Sequence, residues 1–81
     1  VEVNVPKRIA NKSLDEINIR EKYDLNLITV KRRFSKEVKG EKLYEEHLIG
    51  VPKGDTVVME SDVLIILGKS YDVDKFIEIN K

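Results

Sequence analysis

The chain has 81 residues, too few for a second independent core, and its 41% hydrophobic content argues against a disordered polyelectrolyte. With no cysteine and a single histidine it excludes a disulfide scaffold, a thiolate zinc site and an H-E-x-x-H metalloprotease, and no apolar run approaches the 18 residues of a membrane-spanning helix. The net charge is zero but polarised: residues 1–40 carry 10 Lys/Arg against 6 Asp/Glu, and residues 41–81 carry 5 against 9.

Val1, Val3 and Val5 alternate with Glu2 and Asn4, the pattern of a half-buried strand, and Pro6 stops it. Ser13-Leu14-Asp15-Glu16 reads as a capping box that opens a helix. Leu14 and Ile17 share one face, as do Ile19 and Tyr23, but the two pairs are out of phase, so a bend is predicted near Asn18. Leu25–Val30 is a strand of central type, and Lys31-Arg32-Arg33 must leave it for solvent or for charged partners. Over residues 34–48 two readings stand equal. One is a hairpin turning at Val38-Lys39-Gly40-Glu41, the other a short helical turn at 41–47. Residues 48–52 read as a short strand closed by Pro52, 52–55 as a turn, and 56–58 as a return to β structure. Val63-Leu64-Ile65-Ile66-Leu67 is a strand buried on both faces. A last helix, capped by Ser70 or Asp72, carries Val73, Phe76 and Ile77 on one stripe. The sum is a compact α+β domain with two helices packed on a small mixed or antiparallel sheet.

Area scaling gives a folded surface of roughly 5,000 Å² for this mass, with little more than 60% of the extended surface buried. That is marginal for a monomer and leads us to expect an oligomer or a parent chain. The start at Val1, inside a strand pattern and with no signal peptide, leads us to expect a domain cut from a longer protein.

Enzyme chemistry has little support. His47, preceded by Glu45 and Glu46, is the only imidazole, and no serine sits in a nucleophile elbow. As a ligand contact His47 could donate to a phosphate or stack on a base. Glu45, Glu46 and His47 are consecutive and cannot converge on one metal ion from a strand or a helix. Neither glycine-rich phosphate motif occurs. A nucleic-acid adaptor would need Lys7, Arg8 and residues 31–33 on one face, and aromatic platforms are sparse there. Arg20 invites two readings: an Arg20–Glu16 pair along the helix, or an anion contact shared with Asn26 near the start of the strand.

Several segments in order resemble one family. Val5-Pro6 and Asn11-Lys12-Ser13-Leu14 resemble the strand end and G-K-S-L helix start of the TrkA-C domain, also called RCK-C. Ile19-Arg20-Glu21-Lys22-Tyr23-Asp24-Leu25-Asn26-Leu27-Ile28 resembles its L-R-x-x-Y-G-x-x-V segment, and Val30-Lys31-Arg32 its I-x-R exit. Pro52-Lys53-Gly54-Asp55-Thr56-Val57 resembles P-x-x-D-T-x, and Ser61–Gly68 resembles G-D-x-L-x-x-x-G. Asn11, Asp24 and Ser61 stand where the family has glycine. Asparagine and aspartate tolerate the left-handed backbone such sites use, whereas Ser61 should strain the turn or change its type.

The resemblance implies a non-enzymatic regulatory domain, residues 1–81, lying downstream of a Rossmann-type domain that is absent here. It implies a cytoplasmic homodimer coupled to a membrane-embedded potassium or other cation transporter or channel, with no direct nucleic-acid contact. It implies no resident cofactor, and cyclic di-AMP as effector between two copies. The ligand residues it implies are an apolar cover at Leu14, Arg20 and Asn26, with His47 as a fourth candidate from the variable stretch. A domain that only dimerises, or a small nucleic-acid adaptor, are the alternatives.

Overall fold

A computed structural model describes residues 1–81. Its elements are β1 (Glu2–Asn4), a 3-10 turn (Lys7–Ile9), α1 (Leu14–Ile17), α2 (Ile19–Tyr23), β2 (Asn26–Val38), β3 (Glu41–Leu48), β4 (Val63–Leu67) and α3 (Ser70–Ile79). The strands form one antiparallel sheet in the order β1-β4-β2-β3. Helices cover one face of its inner part, which is the expected α+β arrangement.

The capping box forms as read: the Glu16 amide donates to the Ser13 hydroxyl, and the Ser13 amide donates to the Glu16 carboxylate. The bend near Asn18 is a full break. Asn18 adopts a left-handed backbone (φ 53°), ending α1 and starting α2. Asn11 and Asp24 are left-handed too, at φ 67° and 56°, as residues replacing glycine must be if the turn type is kept. Ser61 has no positive φ, so it carries none of the left-handed strain.

The core lies between helices and sheet. Val3, Val30, Leu64 and Ile66 come from the strands, Ile17 and Ile19 from the helix pair, and Val73 and Phe76 from α3. Tyr23 packs edge-on against Phe76 with ring centroids 4.9 Å apart. Leu64 and Ile66 are buried while Val63 and Ile65 are half-buried and Leu67 is exposed, so β4 is fully buried on one face only. The missing cover on the second face is the reason, since no helix lies there. The cap of α3 also differs from expectation: Lys69 is the N-cap, with no side-chain hydrogen bond, and Asp72 lies in the first turn.

The basic exit from the β2 core finds charged partners. Arg32 holds Asp62 through two contacts, Nε–Oδ1 at 3.0 Å and Nη2–Oδ2 at 2.8 Å, and also donates to the Val57 carbonyl at 2.9 Å. Asp62 is wholly buried, and its Oδ2 accepts the Met59 amide as well. That ion pair pins the 57–62 turn to the sheet. The Asp62 hydrogen bond raises the Arg32 pKa further above its already high value. Lys31 reaches Glu2 at 2.7 Å and Glu46 at 3.9 Å.

Residues 34–48 are a hairpin, which decides between the two equal readings. Lys39 and Gly40 both have positive φ, 51° and 79°, and Val38 pairs with Glu41. This is a two-residue type I′ turn, whose twist matches that of the flanking strands. The strand expected at 48–52 is absent: β3 ends at Leu48, and residues 49–52 are irregular. The β return at 56–58 shrinks to a single bridge between Ser13 and Val57.

From about Phe34 outward the hairpin leaves the body as a two-stranded arm. The molecule measures 46 × 22 × 20 Å, with a radius of gyration of 13.7 Å against about 11.7 Å for a compact chain of this length. Its surface of 5964 Å² exceeds the roughly 5,000 Å² scaling value for the same reason. No helix is long and apolar enough to cross a membrane.

Candidate ligand site

A loop strapped onto α1 builds one hollow. The Leu14 amide donates to the Thr56 carbonyl at 3.0 Å and the Asp15 amide to the Gly54 carbonyl at 2.9 Å, while Asn11 and Lys12 exchange bonds with Val58. Gly54 lies close against α1 here, where a Cβ would meet the Asp15 carboxylate and oblige that side chain to move. On the other side, β2 begins with a bulge: Leu27 pairs with Ile66 and Thr29 with Ile65, leaving Ile28 unpaired. Such an extra residue re-aims the side chains next to it. Leu27 and Asn26 then meet the α1–α2 junction.

The hollow so formed has a volume of about 380 Å³, near the lower end of the usual ligand-site range of roughly 300–1,000 Å³. Leu14, Arg20 and Asn26 all line it, together with Leu27, Pro52 and Lys53. Three of the four residues expected from the sequence are therefore brought together. Arg20 and Asn26 are exposed, and Leu14 and Leu27 half-buried, so the hollow is open and presents an apolar floor beneath polar walls.

Arg20 is uncommitted. The pair with Glu16 does not form: Asn18 breaks the helical register between them, and Glu16 is occupied by Ser13. Hydrogen bonds to Ser13 hold the Glu16 pKa below its ordinary value of 4.5. Lys53 has no ion-pair partner either, so two unpaired cations line the hollow together with the Asp15 carboxylate.

His47 is not in the hollow. On β3 it lies opposite Arg32, six residues beyond Asn26 on β2, or about 20 Å along the strand. There it pairs with Glu45 at 3.0 Å and packs against Phe34, in the open and in no cleft. Pro52 and Lys53, which do line the site, read in the sequence as a turn and as part of a family-like segment, not as ligand residues. Their place beside Leu14 depends on the backbone bonds from the α1 start to Gly54 and Thr56, some forty residues away, for which the sequence carries no local signal. The basic residues read as a candidate nucleic-acid face are largely committed: Lys31 to Glu2, Arg32 to Asp62, and Arg33 to the ring of Tyr44 at 5.9 Å.

The model of the TrkA-C domain matches residues 1–81, the whole chain. The chain belongs to the TrkA-C domain family. Among curated proteins, the Ktr system potassium uptake protein C of Bacillus subtilis (strain 168) is 32% identical over 76 residues. That match covers 94% of this chain and 29% of the relative, so this TrkA-C domain corresponds to less than a third of that protein. Among solved structures, the RCK C domain of the potassium transport protein KtrA, in complex with cyclic diadenosine monophosphate, superposes with a TM-score of 0.70 at 24% identity. It covers 98% of this chain and 79% of that one. The GsuK RCK domain gives a TM-score of 0.67 at 17% identity, covering 98% and 16%. At these identities the two structures establish the TrkA-C fold.

Proposed function

We propose that this domain is the dimerising, ligand-sensing module of a potassium-transport gating protein, and that cyclic di-AMP is its effector. The observation that carries this reading is the convergence of Leu14, Arg20 and Asn26, from the three successive elements α1, α2 and β2, on one open hollow with an unpaired guanidinium. The KtrA domain, similar in fold, is solved with this nucleotide, and the Bacillus subtilis relative is a potassium uptake protein.

An open hollow is half a site. A ligand burying most of its surface needs a second wall, and a second copy related by a two-fold axis supplies an identical one. Two Arg20 side chains then offer two guanidinium forks to two phosphates. Leu14 covers an adenine, and Asn26 meets a base edge or a phosphate oxygen. Lys53 adds positive charge at the rim. His47, far along the hairpin, takes no part. In the parent protein, on the cytoplasmic side of the membrane, the ligand would favour one angle between the two copies and bias the attached transporter. It does so only by binding one arrangement more tightly than the other.

Isothermal titration of the chain with cyclic di-AMP tests the proposal. Saturable binding is expected at one ligand per two chains. Arg20→Ala should weaken it by more than tenfold, the usual loss for a charge-assisted hydrogen bond. Absence of binding heat, together with unchanged amide signals at Arg20 and Asn26, would reject the effector.

A further inference from the structure

The outer edge of β3 is unclaimed. β3 is the last strand of the sheet, and every one of its eight residues is exposed. Long open edges are templates for pairing with another chain, and a two-stranded ribbon is marginal by itself. We propose that this edge pairs antiparallel with β3 of a second copy, with Tyr44 on the two-fold axis.

Backbone parity narrows the choice. A two-residue type I′ turn is closed by a hydrogen-bonded pair, here Val38 and Glu41, and such pairs recur at every second residue. Further in, the Ile49 amide donates to the Val30 carbonyl at 3.0 Å, which confirms the phase. Residues 41, 43, 45 and 47 thus spend their amides on β2. Residues 42, 44, 46 and 48 point theirs out from the free edge. A symmetric antiparallel pairing must set outward residues against outward residues, so only every second register is open to it.

Charge then selects one register. With Tyr44 opposite its own mate, Lys42 faces Glu46 of the second copy and Glu41 faces His47, each pair occurring twice by symmetry. Sliding one permitted step in either direction puts Glu41 opposite Glu45, or Glu45 opposite its own mate, and like charges directly opposite destabilise a sheet. In the selected register roughly six backbone hydrogen bonds form, and pairing stops at Leu48, where the arm meets the body. The two Leu43 side chains become diagonal neighbours on one face. On the other face each Arg33 stays over its Tyr44 ring, 5.9 Å from the centroid.

This axis is not that of the proposed ligand site. Tyr44 lies opposite Ser35, nine residues beyond Asn26, about 30 Å along β2. A chain using both axes links dimers into a closed ring or an extended array.

Sedimentation velocity and amide hydrogen exchange on this chain test the edge. Exchange at 42, 44 and 46 should slow at least tenfold as concentration rises, while 43, 45 and 47 are already protected by β2 and change little. Lys42→Glu and Glu46→Lys should each abolish that protection when alone. Mixed one to one, they should restore it. The carboxylate introduced at position 42 of one chain then meets the ammonium introduced at position 46 of the other, and the native pair survives at the opposite site. Both variants carry a repulsion within their own hairpin, so restoration on mixing also shows that each still folds. Even-numbered amides that stay unprotected at every concentration, or a mixture no better than its components, would overturn the proposal. Cyclic di-AMP is absent throughout, so the result stands apart from the ligand reading.

Discussion

The body, residues 1–33 with 49–81, and the arm, residues 34–48, draw on similar side chains and reach opposite outcomes. All 15 buried residues belong to the body. Phe76 there has no exposure, whereas Phe34 on the arm is 47% exposed and Tyr44 62%. The difference is one of layers. In the body the apolar side chains on one face of the sheet meet helices across a shared core; in the arm two strands stand with nothing on either face. What holds the arm is local: the type I′ turn, the Phe34–His47 contact and the Arg33–Tyr44 stacking. Stability in this molecule follows the second layer rather than hydrophobicity itself.

Matched substitutions can break or sharpen this contrast. The largest effect is expected from Phe76→Ala, about 3–5 kcal/mol of unfolding free energy by urea titration, as for other buried phenylalanines. Phe34→Ala should stay within about 0.5 kcal/mol in dilute solution. Equal losses at the two positions would mean that the arm is buried in the monomer. Next comes Asp62→Ala, which strips Arg32 and the Met59 amide of their shared partner and should cost about 3 kcal/mol. Glu46→Ala, on the arm, should leave the melting temperature almost unchanged.

Smaller effects follow at the local devices. Ser13→Ala removes the helix cap and should cost about 1 kcal/mol. It should also flatten the acid limb of stability. The Glu16 carboxyl is held below 4.5 by Ser13, so its contribution is complete above that pH and is lost as pH falls through its lower folded value. Parallel pH profiles of wild type and variant would contradict this. Gly40→Ala forces a side chain onto a φ of 79° and should cost about 1 kcal/mol. The loss should be confined to amide exchange in the arm, with the global unfolding midpoint barely moved.

The elements legible in advance were those with strong local chemistry. Ser13 and Glu16 define a helix start through their own side chains, and the apolar run Val63–Leu67 reads as a strand, although only one of its two faces proves fully buried. Asn11 and Asp24 reported left-handed turns because few other residues tolerate them. Arg20 and Asn26 could be singled out as candidate ligand residues because their side chains are polar and lie close in sequence at an apolar edge. Residues 34–48 resisted reading because Glu, Lys and Leu suit helix and strand alike, and no core stood behind them to impose a period. The expected Arg20–Glu16 pair failed for a related reason: helical spacing says nothing of a single residue, Asn18, that interrupts it.

By itself, then, the order of residues determined the start of α1, the left-handed turns at Asn11 and Asp24 and the α+β class, because each rests on side chains near one another along the chain, while composition alone ruled out a cysteine or multi-histidine site. Only the folded structure decided that Pro52 and Lys53 stand beside Leu14, that Arg32 reaches Asp62, and that the hairpin projects bare from the body. Those facts depend on backbone bonds and layer contacts between distant segments. Their free energy is realised only when the body has closed around Phe76.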